Sequence, residues 1–117
     1  MKPSEFDYRL WCKRDDSYWS FDDDEKTKII PRNDDVWEIE LWSGFCDKNG
    51  VKIFEGDIVK FANYDYCFSV ILSDIAWRII AKEKTLNLQS IVDLTLINGK
   101  INLLEVIGNI HENANLL

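Results

Sequence analysis

The sequence predicts an all-β fold, or a mainly β fold with minor helix, arranged as a small antiparallel barrel or a sandwich of hairpins. Three observations carry this. Short runs of alternating apolar and polar residues recur along the chain, turn signals separate them, and no long stretch repeats at the helical period. Strands spaced in this way favour a barrel or sandwich over a bundle. The chain has 117 residues, 46 % hydrophobic and 13 % aromatic. That suffices for a single domain, 1–117, with its own core and no need of metal or disulfide staples.

Residues 6–13 (FDYRLWCK) alternate, with Phe6, Tyr8, Leu10 and Cys12 on one face. A polar turn, Arg14 to Ser17, leads into a return strand, Tyr18 to Phe21, completing a hairpin. The segment 22–35 is acidic and polar, and its like charges predict a mobile loop. Residues 36–42 (VWEIELW) set Trp37, Ile39 and Leu41 against Glu38 and Glu40, a strand with one wet face. Gly44 then marks a bulge or a close backbone approach.

Asp47 to Phe61 carries two turn signals, Asn49-Gly50 and Glu55-Gly56-Asp57. Asn and Gly tolerate positive φ, so the first reverses the chain. Asp57 is placed to accept backbone N–H bonds at the second. Val51, Ile53, Ile58 and Phe61 are the apolar positions offered to a core. Residues 66–72 and 75–81 are rich in β-branched and aromatic residues and form another hairpin across Ser73-Asp74. Residues 82–97 fit either a helix or a strand. A strand is favoured because Asn98-Gly99 follows, with a further strand over 101–107.

The formal net charge is −7, from 21 acidic and 14 basic residues. With no basic run longer than Lys13-Arg14, this disfavours nucleic-acid binding through phosphates and fits a protein partner. Cys12, Cys46 and Cys67 are odd in number and show no C-x-x-C spacing, which predicts reduced thiols in a cytoplasmic protein. No apolar stretch approaches a membrane span and no signal-peptide core is present.

Chemistry finds little support. His111 is the one histidine, and Glu112 beside it points the other way on an extended chain. A zinc site from the three cysteines and His111 would lack the paired ligand spacing such sites show. Asp22 to Asp24 do not match a calcium loop. The expectation is therefore no enzyme, no catalytic residue, no cofactor and no metal. Trp11 and Trp42 fall opposite their strands' main apolar sets. They are either the second buried face of a barrel-closing strand or candidate interface residues, because Trp is enriched where proteins meet, and burial or self-association is favoured over ligand stacking.

Two stretches resemble the YopX-like family of small phage and prophage proteins. Residues 42–61 are similar to its glycine, D-K-N-G and I-[YF]-E-G-D-I-V pattern, through Gly44, Asp47, Asn49, Gly50, Glu55, Gly56 and Asp57. Residues 105–117 resemble its terminal E-V-I-G-N-I-[YH]-E-N-P-x-L-L, through Gly108, Asn109 and Asn113. Tyr8 to Trp11 is a weaker third match. The chain departs at Ala114, usually proline, and at Cys46, usually polar. The resemblance implies a β-rich fold and a phage or prophage origin in a bacterial cytosol, and it implies no activity. The reading is a noncatalytic module that binds a phage or host protein or a second copy of itself. The alternative is a small-barrel accessory protein associated with nucleic acid.

Overall fold

In the computed structural model, residues 6–19, 33, 35–74, 76–81, 84–97 and 100–117 are described. They are mostly β, as the sequence predicts, and fall into two units, Met1–Trp42 and Ser43–Leu117. The acidic segment expected to be mobile lies, apart from Asn33 and Asp35, outside the described residues.

In the first unit β1 (Tyr8–Cys12) forms the expected hairpin with β2 (Ser17–Trp19), turning through Asp16 at φ 49°. The strand β3 (Trp37–Asp47) begins in this unit and pairs antiparallel with β1, from Tyr8↔Leu41 to Cys12↔Trp37. Directly paired residues share a sheet face. One face therefore carries Tyr8, Leu10, Cys12, Trp19, Trp37, Ile39 and Leu41. The other carries Arg9, Trp11, Tyr18, Glu38 and Glu40.

The wet face expected for Glu38 and Glu40 is corrected at Glu40. It is 4 % exposed, whereas Ile39 is 39 % exposed. The reason is electrostatic pairing. Arg9 Nε donates to Glu40 Oε1 at 2.7 Å and Tyr18 Oη donates to the same oxygen at 2.8 Å. The guanidinium also lies 4.6 Å from the Tyr18 ring centre. A buried carboxylate held this way has its charge matched and Oε1 bonded twice. On the apolar face, burial and then the charge of Asp7 push the Tyr8 phenol above its usual pKa.

In the second unit, β4 (Lys52–Phe54) folds back on β3. An antiparallel five-stranded sheet follows from β5 (Asp57–Phe61), β6 (Phe68–Ser73), β7 (Ala76–Ala81), β8 (Lys84–Asn87) and β11 (Leu104–Asn109). Its order is β11-β5-β6-β7-β8, so it is open rather than closed into a barrel. Two short strands, β9 (Leu96–Ile97) and β10 (Lys100–Ile101), pair antiparallel, and β10 pairs parallel with Cys46 and Asp47 of β3. The core gathers Ile53, Val59, Phe68, Val70, Ile79, Leu88, Ile101 and Leu104, with Phe45, Phe61 and Trp77 packed against it. Val51, expected inward, is 47 % exposed.

Residues 82–97 correct the strand preference. A helix, α1 (Leu88–Thr95), occupies most of this stretch after the four residues of β8. Asn87 caps it, its side-chain oxygen accepting the Ser90 N–H at 3.1 Å. Leu88, Ile91 and Val92 are buried, the i, i+3, i+4 stripe of a helix lying on a core. The further strand expected over 101–107 is likewise two strands, broken at Asn102 and Leu103 and paired in different sheets.

The two turn signals of 47–61 act differently. At the first, only Gly50 has positive φ, 80°, and Asn49 does not. Gly50 N–H donates to Asp47 O and Asp47 N–H to Val51 O, a type I turn closed by a glycine bulge. At the second, Gly56 has φ 87°. Its N–H donates to Val70 O and its carbonyl accepts from Ile110 N–H, both at 2.9 Å. A side chain there would be strained in a backbone pinned on both sides. Gly56→Val is expected to destabilise the protein by about 1–3 kcal/mol, read as a drop in the urea midpoint. An unchanged midpoint would show that the turn can relax.

Candidate functional site

The residues of the two main stretches of resemblance lie in the second unit, and the side chains of Asp47, Asp57, Asn109 and Asn113 serve the backbone. Asp47 is fully buried. One carboxylate oxygen accepts the N–H of Asn49 at 2.8 Å and of Val51 at 2.9 Å, and the other accepts the N–H of Val106 at 2.8 Å. Lys48 N–H meanwhile donates to Leu104 O at 3.0 Å. The 47–48 turn thus occupies the edge of β11 that β5 leaves free. Asp57, 1 % exposed, accepts the N–H of Phe54 at 2.8 Å, holding the turn through Glu55 and Gly56. Gly44 lies within β3 at φ 89°, beside Ser43, whose hydroxyl accepts the Phe45 N–H.

After β11 the chain turns on two asparagines. Asn109 Oδ1 accepts the amides of His111 and Glu112, at 3.0 and 2.9 Å. Asn113 Oδ1 accepts the Asn109 N–H at 3.1 Å, and Asn113 N–H donates to Asn109 O at 2.9 Å. Gly108 makes room for this: a Cβ there would stand 2.6 Å from Asn113 Cγ and Oδ1 and 2.8 Å from its Cβ. These are the local side-chain bonds for which Asn is suited at turns.

Beside this scaffold lies a half-open cleft of about 330 Å³, lined by Lys48, Lys60, Ala62, Asn63, Asn102, Leu103 and Glu105. Its walls are fixed by backbone. Ala62 N–H donates to Leu103 O at 2.9 Å, with Ala62 at φ 47°, and Glu105 stands opposite Lys60 across β5 and β11. Lys48 Nζ lies 3.3 Å from Glu105 Oε2. Lys60 forms no ion pair among the described residues, and the Asn63 and Asn102 side chains form no hydrogen bond among them. The cleft escapes a sequence reading because Asn102-Leu103 looks like the middle of a strand. The one trace is an Asn interrupting the apolar run from Ile101 to Leu104.

Beyond the cleft, Phe61, Tyr64, Tyr66 and Phe68 form an aromatic group with ring centres 5.4–6.2 Å apart. Lys84 Nζ sits 4.7 Å from the Tyr64 ring centre, and its hydrogen bond with Tyr64 is the main cause of its raised pKa.

In the first unit the two candidate tryptophans differ in exposure. Trp11 is 6 % exposed, its ring edge-on to Tyr18 at 4.9 Å, and Trp42 is half-buried. The exposed aromatics lie on the opposite face. Trp19 is 44 % and Phe6 45 % exposed, and Trp19 meets the half-buried Trp37 edge-on at 4.9 Å. Leu10 lies between Trp19 and Ile39 in the register but is 2 % exposed, as are Tyr8 and Cys12, so the exposure on this face is confined to the flanking strands β2 and β3. The sequence does not rank the tryptophans for exposure, because alternation tells which residues share a face and not which face is covered.

No helix among the described residues is long and apolar enough to cross a membrane. In comparisons with known proteins, the sequence model of the family described as YopX protein matches residues 11–117. The crystal structure of protein EF1440 from Enterococcus faecalis is similar in fold, with a TM-score of 0.61 and 23 % identity. That match covers 96 % of this chain and 97 % of the other. Among curated proteins none matches.

Proposed function

Since the chain belongs to the YopX protein family, we propose that it is a noncatalytic, phage- or prophage-derived module that works by binding protein. The observation carrying this reading is the apolar face of the first unit. Trp19 and Ile39 are 44 % and 39 % exposed and share a face with the half-buried Trp37, which Trp19 meets edge-on, while Phe6, 45 % exposed, precedes the other end of β1. Large exposed apolar side chains set close together mark sites where proteins meet, and Trp is enriched in the energetic centres of such sites. The partner is a phage or host protein, or a second copy of this chain.

The nucleic-acid alternative gains nothing from the fold, since the five-stranded sheet is open and the formal net charge is −7. Light scattering behind size exclusion, with and without host lysate, tests the proposal against a Trp19→Ser/Ile39→Ser variant. The wild type is expected to form an associated species at tens of micromolar, about the range of a modest interface. The variant should lose that species with its melting temperature retained. Identical profiles for the two proteins would overturn the reading.

A further inference from the structure

We propose that the cleft between Lys48, Lys60 and the Asn102-Leu103 turn binds the C-terminal carboxylate of a peptide. The polar groups that line it with no partner among the described residues are of matching kind: the Lys60 ammonium and the carboxamides of Asn63 and Asn102. A lysine supplies a point charge for an anion. Each carboxamide supplies two donors and one acceptor, which suits a peptide group. Leu103, 43 % exposed, gives the cleft an apolar wall for a terminal side chain.

Charge selects a monoanion. Lys48 and Lys60 bring two positive charges and Glu105 one negative, leaving one in excess. A phosphate, carrying nearly two negative charges, would leave the cleft net negative beside the Glu105 carboxylate, where a carboxylate is balanced. Size agrees. At about 330 Å³ the cleft is at the small end of ligand sites and takes one or two residues rather than a folded partner. The site is also prepared in advance. Backbone bonds from Lys48 to Leu104 and from Ala62 to Leu103 fix its backbone walls, so the ordering cost of binding falls on the exposed side chains of Lys60, Asn63 and Asn102.

The test is an NMR titration of the full ¹⁵N-labelled chain with acetyl-Ala-Leu, against acetyl-Ala-Leu-amide and inorganic phosphate. The free-acid peptide is expected to move the amides of residues 60–63 and 102–105 saturably, with Kd on the order of 1 mM. The amide peptide should bind ~10-fold more weakly, and Lys60→Met should weaken the acid by a similar factor. An unchanged melting temperature for Lys60→Met separates lost binding from lost folding. No saturable shift, an equal response to acid and amide, or a response to phosphate alone would each overturn the assignment.

Discussion

Asp47→Ala is expected to lower the unfolding free energy by about 3–5 kcal/mol, as read from urea denaturation. The alanine would leave three amides, those of Asn49, Val51 and Val106, without the carboxylate that now accepts them. Two of these lie in the 47–51 turn, where water can replace part of what is lost. The third lies on β11, pressed against the same turn. A buried donor left unmade costs more than its bond contributed, because its desolvation is no longer offset. A domain of this size has a total stability of only about 5–15 kcal/mol, so the variant would stand close to unfolding at 37 °C. Asp47→Asn keeps one accepting oxygen and loses the other, so its cost should fall near half that of the alanine. Were Asp47→Ala within about 1 kcal/mol of wild type, the turn would have to be held by its glycine bulge alone.

Gly108→Ala is expected to cost about 2–4 kcal/mol, combining overpacking with a lost hydrogen bond. The new methyl would meet Asn113 at its Cβ as well as its carboxamide, so swinging the side chain away does not clear the contact. Displacing Asn113 also removes the acceptor of the Asn109 N–H and loosens the turn that Asn109 organises. A double-mutant cycle separates the two causes. Asn113→Gly alone loses the bond, and adding Gly108→Ala to it should then cost well under 1 kcal/mol, since the clash has gone. Additive costs would place the effect of Gly108 in the strand and not in the turn.

The fold was legible in the sequence wherever local chemistry decides. The β1–β2 and β6–β7 hairpins, the turns at Gly50 and Gly56 and the capping role of Asp57 all follow from residues a few positions apart. What escaped depends on distant neighbours. Glu40 reads as a solvated residue until Arg9 is set opposite it. Asn87 reads as a loop residue unless a helix is already suspected, yet it was the available sign of α1. The strand expected over 101–107 hid a break, and with it the cleft. Trp11 and Trp19 could not be ranked for exposure because periodicity is blind to what lies over a face. The resemblance named the signature residues without giving their use. Those of Asp47, Asp57, Asn109 and Asn113 are now explained by backbone hydrogen bonding, whereas the cleft beside them is formed partly by Asn63, Asn102 and Leu103, which the resemblance does not single out.

The covered edge of β11 has a consequence for how copies of this protein can add to one another. An open sheet offers two edges, and a molecule with both free can extend without limit, strand to strand, into a fibre. Here the outer side of β11 is taken up by Asp47 and Lys48 of the same chain. Among the described residues, β8 pairs only with β7, so it is the remaining edge of this sheet. Pairing through β8 uses up the one remaining edge of this sheet in each copy, so growth through this sheet stops at two. The turn at 47–48 therefore acts as a terminator of sheet growth as well as a brace.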